Sequence, residues 1–153
     1  MDVRTIRSLG DDTLSYLVAD VDSGEAVLID PQACDMPLIQ AMLGERQLRL
    51  RWILRTHDHD EQRPGELPAL RRLGAPIVQG RPEAGVHLPT DGDLLALGGS
   101  AIRVWRTPGH TKHCLSYLWR DRVFCGALLD VDHCPWQRWP ADAAMLWDSV
   151  TQK

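Results

Sequence analysis

The stretch RTHDHDEQRP, Arg55 to Pro64, sets two histidines two residues apart among acidic side chains. Its first two residues end the stretch LRLRWILRT, residues 48–56, in which apolar residues alternate with arginines. This period of two predicts a β-strand that ends at Thr56 with one face in a core and the arginines on a solvated or salt-bridged edge. His57 and His59 therefore come just after a strand end, where α/β folds commonly place their functional sites.

A second loop carries a third histidine. TPGHTKHC, Thr107 to Cys114, also follows a predicted strand, and Pro108 and Gly109 form a tight turn that can aim His110. A single pair of histidines among acids is typical of a solvated loop. Imidazole is, however, the commonest metal ligand, and three imidazoles would make a nitrogen set with one open position for water or substrate. The second loop therefore favours a metal site.

The composition excludes several classes of protein. The chain has 153 residues, 44% of them hydrophobic and 25% charged, with a formal charge of −4. We expect one domain over residues 1–153, with neither nucleic acid nor a membrane as partner. No apolar run approaches the ~20 residues that span a bilayer, and the first twelve residues lack the apolar segment of a secretory signal, so a cytoplasmic location is expected.

Periodicity and turn residues predict a mixed α/β order. TLSYLVAD and EAVLID read as a hairpin, followed by a helix that Asp35 caps and Gly44 ends. A second helix is predicted in GELPALRRLGAP and a short strand in PIVQG. The rest reads as three strands and a final helix, in AIRVWRT, CLSYLW, RVFCGALL and at Ala143, Leu146, Trp147 and Val150.

The cysteines do not form a zinc-ribbon pattern, because Cys34, Cys114, Cys125 and Cys134 include no CxxC pair. Reduced thiols are expected. Cys114 and Cys125 fall in apolar runs, where cysteine is usually a small buried hydrophobe. Cys134, next to Pro135, is predicted to be the more exposed thiol.

The two histidine loops resemble those of the metallo-β-lactamase fold, whose motifs are THxHxDH and PGHT. Here they read Thr56 to Gln62 and Pro108 to Thr111. Within that superfamily the chain is most similar to the persulfide dioxygenases, the glyoxalase II relatives that oxidise glutathione persulfide. The resemblance extends over LSYLVADVDSGEAVLIDP, TPGHTKHCLSYL, VFCGALL and LWDSVTQK, and so over most of the chain.

The resemblance implies an αββα sandwich with metal held between loops at one edge of two sheets. It implies that His57, His59 and His110 are the ligands of the first metal in hydrolase members. Asp30 matches an aspartate that braces the metal loops, and Asp58 lies between the two motif histidines with the same supporting role expected.

The chain departs from the family pattern at three places. Glu61 and Gln62 replace the Asp-His pair of the first motif, so a second metal is not expected. The family's Gly-Asp pair, which supplies a carboxylate to iron in the dioxygenases, reads Gly126-Ala127. The sequence also ends at Lys153, before the family's last elements, so the resemblance implies a sandwich truncated at its C-terminus. Three neutral imidazoles without that carboxylate predict one divalent metal, with zinc favoured over iron.

Further candidates surround these loops. Asp60 could act as catalytic base or fourth ligand, and so could Asp130 or Asp132. His113 and His133 are possible additional ligands, His133 because it lies near the missing aspartate.

Two hypotheses of different class follow. In one, the protein is a mononuclear metalloenzyme that acts on a glutathione-type persulfide as a dioxygenase, or on a thioester as a hydrolase. In the other, it is a degenerate relative that binds metal or a thiol ligand without turnover, as a sensor or interaction partner. Either way we expect a small thiol-derived ligand, and a homodimer that covers an exposed sheet edge or apolar face.

Overall fold

The structure, a computed structural model, describes residues 2–8, 13–59, 62–129, 134, 137 and 140–153. Two β-sheets lie within these residues. The first contains β1 (Asp2–Arg7), β2 (Leu14–Asp20), β3 (Glu25–Ile29), β4 (Arg49–Leu54) and β5 (Ile77–Val78), in that order. The second contains β6 (Leu94–Leu97), β7 (Ser100–Arg106), β8 (Leu115–Trp119) and β9 (Arg122–Phe124), also in order.

The two sheets differ in strand direction. Strands β1 to β3 and β6 to β9 form antiparallel meanders, and the predicted hairpin is β2–β3. Strands β3, β4 and β5 are parallel, joined by crossovers that contain the helices. The carboxyl ends of β3 and β4 therefore meet at one edge of the first sheet.

Three helices accompany the sheets: α1 (Met36–Glu45), α2 (Glu66–Arg71) and α3 (Ala143–Gln152). Helix α1 starts directly after Asp35, as predicted, but the Asp35 side chain makes no capping hydrogen bond and the helix continues to Glu45, past the predicted end at Gly44. In the part of the chain that the structure describes, no helix combines the length and the apolar character that crossing a bilayer requires.

Three apolar clusters form the core. The largest lies between the sheets and joins residues such as Val27 and Leu54 of the first sheet to Tyr117 and Trp119 of the second. On the other face of the first sheet, Ile39 of α1 packs against β1 to β3, and Leu67 and Leu70 of α2 pack against β4 and β5. The order of layers is α1 and α2, then the first sheet, then the second sheet.

Strand β4 is covered on both faces, which corrects the single buried face predicted from its alternation. Ile53 packs toward α2 while Leu54 packs between the sheets, because a parallel strand between crossovers has neighbours on both sides. Arg49 and Arg51 pair with Glu25, as expected for a salt-bridged edge. Arg55 instead is buried and donates to Gln79.

The segment after β9 also corrects the sequence analysis. GALL was predicted to continue a strand, but Gly126–Leu129 forms a 3-10 helix. Gly126 adopts a φ of +55°, which ends the extended backbone, and the Leu128 amide bonds back to the Cys125 carbonyl at 3.2 Å. Strands β1 and β6 were missed.

The final helix forms as predicted, with Asp142 capping it through the Met145 amide. Its predicted apolar stripe is not buried, however. Trp147 is 70% exposed and Val150 46% exposed. The helix instead fixes itself to the loop after β7 through Leu146 and Ser149.

Candidate metal centre

The site starts from the adjoining ends of β3 and β4. Asp30 follows β3 and Thr56 lies just beyond β4, and parallel pairing brings the two residues side by side. The Asp30 carboxylate accepts two hydrogen bonds from Thr56, from its amide and from its hydroxyl, both at 2.7 Å. Asp30 has a φ of +49°, a left-handed conformation that aspartate tolerates better than most residues.

Thr56 connects this carboxylate to the first histidine, since its Oγ1 lies 2.8 Å from His57 Nδ1. Burial raises the pKa of Asp30 to about 6, against the opposing effect of the Thr56 hydrogen bonds, so the carboxylate is mostly ionised at pH 7. An ionised carboxylate only accepts, so the single hydroxyl proton of Thr56 points to Asp30. Thr56 Oγ1 then accepts from His57 Nδ1–H, which leaves His57 Nε2 as the lone-pair nitrogen.

Three histidines converge from the two sheets. The ring centroid of His57 lies 5.0 Å from that of His59 and 5.0 Å from that of His110, and His59 and His110 are 5.5 Å apart. His57 and His59 follow β4 of the first sheet, whereas His110 follows β7 of the second. The Leu115 amide donates to the Thr56 carbonyl at 2.7 Å, which ties the two sheets together beside the site.

The electrostatics keep the rings of His57 and His59 neutral. Burial, together with the neighbouring His110 and Arg55, lowers the pKa of His57 to about 4. The pKa of His59 is also lowered to about 4, again mainly by burial and then by the other two histidines. Neutral imidazole is the form that binds a metal, so near pH 7 both rings have lone pairs available.

The loop that carries His110 is fixed from two sides. Gly109 has a φ of +145°, and a Cβ there would come within 2.6 Å of Leu146 Cγ on α3. Ser149 of the same helix donates to the Pro108 carbonyl at 2.7 Å. On the other side, Cys114 Sγ lies 3.5 Å from His110 Nδ1. Cys114 is buried as predicted, but its contact with His110 was not predicted.

Cys134 also approaches the histidines. Its Sγ lies 3.1 Å from His59 Nε2, and the candidate ligand atoms of His57, His59 and Cys134 all lie within 4.8 Å of one another. Cys125 and Cys134 are both half-buried and Cys34 is exposed, so the predictions of a buried Cys125 and an exposed Cys134 were wrong. The sequence analysis predicts the neighbouring His133 as a possible ligand and does not predict Cys134.

Gly126 packs directly against the Asp30–Thr56–His57 chain. A Cβ at Gly126 would fall 2.2 Å from Thr56 Oγ1 and 3.2 Å from His57 Nδ1. The close approach explains why this position needs glycine in addition to its positive φ. It also places the Gly126-Ala127 pair, where the family pattern has Gly-Asp, beside the histidines.

The remaining candidates have different surroundings. Asp58 forms an ion pair with Arg81 at 3.1 Å. The buried Nδ1 of His113 has no hydrogen-bond partner among the described residues, and His113, like His110, lies outside the group of mutually close ligand atoms. Asp60, Asp130, Asp132 and His133 lie outside the described residues, and their roles as base or ligands stay predictions.

A cleft of about 580 Å³ opens beside the site. His59 and His110 form part of its wall, together with Asp58, Arg81, Lys112 and His113, and with Met145 of α3. The wall of the cleft therefore combines histidines with two cationic side chains, those of Arg81 and Lys112.

Relatives of known name share most of this chain. It is 35% identical over 148 residues to a hydroxyacylglutathione hydrolase of Anaeromyxobacter dehalogenans, covering 94% of this chain and 56% of that protein. It is 34% identical over 129 residues to the mitochondrial persulfide dioxygenase ETHE1 of Homo sapiens, covering 80% and 50%. The chain therefore spans about half the length of the curated relatives it matches. A scan against models of protein families gives no match.

Solved structures agree with this assignment. ETHE1 from Myxococcus xanthus superposes with a TM-score of 0.84 at 31% identity, covering 99% of this chain and 69% of that one. The B3 metallo-β-lactamase BLEG-1 superposes with a TM-score of 0.78 at 25% identity, covering 99% and 85%. The fold and the histidine loops define a metallo-β-lactamase sandwich, and the chain belongs to that superfamily. Within it, hydroxyacylglutathione hydrolases and ETHE1 persulfide dioxygenases are its homologues.

Proposed function

We propose that this protein is a mononuclear zinc protein that hydrolyses a thioester of a small, anionic thiol. The proposal rests on one observation above all. His57, His59 and His110 converge from both sheets with ring centroids 5.0–5.5 Å apart, and the Asp30–Thr56 pair orients the first of them.

The donor set fits zinc better than ferrous iron. The lowered pKa values of His57 and His59 keep those two rings neutral. Three neutral imidazoles are a common zinc set. Iron oxygenases use two histidines and a carboxylate. In the described part of the chain, the cluster of mutually close ligand atoms contains no carboxylate, and Asp58 is paired with Arg81. The charge that iron chemistry needs is therefore lacking among these residues.

Each side chain has a distinct part in the proposed reaction. A bound zinc ion would supply Lewis acidity and lower the pKa of a water toward ~7. Thr56 holds His57 in the tautomer with a free Nε2, and Cys114 steadies the ring of His110. Arg81 and Lys112 line the cleft, where they suit the carboxylates of a glutathione-type thiol. Asp60 is proposed as the base that accepts the proton.

A second candidate function is metal binding without turnover. The contact of Cys134 with His59 favours it, because a sulfur near the histidines competes for the position that a hydrolase keeps open. The two candidate functions therefore share one metal site and differ in whether a substrate can reach the metal.

Metal content and thioester hydrolysis test the proposal together. Protein purified without added metal should contain at most one equivalent, zinc rather than iron, and the zinc form should hydrolyse a hydroxyacyl thioester of glutathione. His110→Ala should abolish both zinc retention and hydrolysis, whereas His87→Ala, at an exposed position away from the cleft, should change neither. Two equivalents of metal would refute the mononuclear site, and hydrolysis that survives His110→Ala would refute its catalytic use.

The missing carboxylate can be tested at Ala127. Ala127→Asp, or an Asp inserted between Gly126 and Ala127, should raise iron affinity by adding an anionic oxygen ligand. Iron content and oxygen uptake with glutathione persulfide are the measurements. Wild-type protein that already consumes oxygen at an enzyme-like rate, and loses this on His110→Ala, would show that dioxygenase chemistry needs no Asp here.

A further inference from the structure

We infer that Cys134 is a ligand of the metal centre and fills the coordination position that a substrate or a water molecule would otherwise take. The inference rests on the metal centre proposed above. Cys134 Sγ lies 3.1 Å from His59 Nε2, and its ligand atom, with those of His57 and His59, falls in a group spanning no more than 4.8 Å.

The distances suit shared ligation. A tetrahedral zinc with Zn–S of about 2.3 Å and Zn–N of about 2.0–2.1 Å holds sulfur and nitrogen about 3.6 Å apart. The separation of 3.1 Å between Cys134 Sγ and His59 Nε2 is within about half an ångström of that value. A hydrogen bond between thiol and imidazole would bring those two atoms together as well. Such a hydrogen bond would bring only His59 close to the thiol. The ligand atom of His57 also lies within 4.8 Å of those of His59 and Cys134, as shared ligation requires.

Cys134 and the three histidines would together make four donors. His110 lies outside the group of mutually close ligand atoms, but its ring centroid is 5.0 Å from that of His57 and 5.5 Å from that of His59, so a shift of its ring would bring in the fourth donor. Zinc sites with four protein ligands are closed, whereas catalytic sites keep one position open. With Cys134 bound, access of a thioester to the metal would require this cysteine to leave first.

The backbone around Cys134 supports a fixed position for the thiol. The Gln137 amide donates to the Cys134 carbonyl at 2.9 Å, which closes a turn at this residue. Gln137 also lines the cleft. The hydrogen bond that holds the Cys134 carbonyl therefore comes from a residue of the cleft wall.

Cobalt substitution tests the inference in the 153-residue chain. Metal-free wild type titrated with Co²⁺ should show the visible bands of four-coordinate cobalt together with a sulfur-to-cobalt charge-transfer band in the near ultraviolet. Cys134→Ser should lose the charge-transfer band. Cys125→Ser, a change at a second half-buried thiol, should keep it. Competition with a chelator should show that Cys134→Ser weakens metal binding by more than the roughly 10–100-fold that losing an outer partner costs.

The outcomes separate this inference from the proposed function. Four-coordinate cobalt without a charge-transfer band would place the thiol outside the metal's ligands and overturn the inference, while the histidine site stands. Absence of cobalt binding would overturn both.

Alkylation of wild-type protein gives a readout that does not depend on the folding of a variant. Zinc should slow the reaction of iodoacetamide with Cys134 and leave that of the exposed Cys34 unchanged. Equal rates at Cys134 with and without zinc would refute metal ligation by this cysteine.

Discussion

Replacement of Thr56 by valine tests the chain of hydrogen bonds from Asp30 to His57. Valine has nearly the shape of threonine but lacks the hydroxyl, so the change removes two contacts without opening a large cavity. Asp30 loses one of its two Thr56 donors, and His57 Nδ1 loses its acceptor, while the Thr56 amide bond to Asp30 remains.

The expected cost is large because Thr56 is only 1% exposed. A buried acceptor left without its donor costs about 1–3 kcal/mol, so we expect the free energy of unfolding of the metal-free protein to fall by about 2 kcal/mol. Loss of the partner that orients a histidine ligand should weaken metal binding by about 10–100-fold. Urea unfolding and chelator competition measure the two effects separately.

Thr90→Val is the matched control. Thr90 binds both carboxylate oxygens of Asp93 in the same way, through its amide at 2.8 Å and its hydroxyl at 2.6 Å, but on the exposed surface. We expect a change within about 0.5 kcal/mol and unaltered metal affinity. Equal losses of stability in the two variants, or metal affinity in Thr56→Val equal to that of wild type, would refute the proposed role of the Asp30–Thr56 pair.

Other features of the site and the surface lead to further predictions. Gly126→Ala should weaken metal binding and destabilise the protein, because its Cβ would displace Thr56; chelator competition that matches wild type would contradict this. In the metal-free protein the lowered pKa of His57 means that stability is lost as the pH falls from about 6.5 toward 4, whereas the raised pKa of Asp30 gives stability back below about 6. Asp30→Asn should therefore make the free energy of unfolding, measured by urea titration, fall more steeply as the pH is lowered across that range. An unchanged dependence on pH would count against a raised pKa of Asp30. The exposed Trp147 on α3 suggests a dimer contact, so we propose that light scattering will show a homodimer that Trp147→Glu weakens; a wild-type monomer at all concentrations would exclude it.

Local patterns were sufficient to predict most of the fold. The hairpin, the crossover helices and the strand before the first histidine all follow from periodicity and turn residues that act within a few residues of one another. The errors occur where distant parts of the chain decide the outcome. Arg55 is buried because Gln79 of a later segment accepts its hydrogen bond, and GALL leaves the strand because Gly126 must pass close to Thr56.

The three histidines could be predicted from the sequence, whereas the contacts of Cys134 and Cys114 with them could not. His57, His59 and His110 stand in motifs whose residue types and turns can be recognised in the sequence itself. Cys134 lies 75 residues from His59 in the chain, and no local spacing links the two. The contact of Cys114 with His110 was likewise hidden, since an apolar run predicts burial but not the neighbour.

The position of the site between the two sheets has a consequence for unfolding. A metal held by His57 and His110 would act as a cross-link that closes a loop of about fifty residues, and that loop exists only while both sheets are in place. Binding free energy at such a site is folding free energy, and free zinc at a hundred times its dissociation constant would add about 2.7 kcal/mol to the stability. The melting temperature of this protein should then rise with the concentration of free zinc. The fraction of molecules that stay folded would therefore depend on the zinc supply.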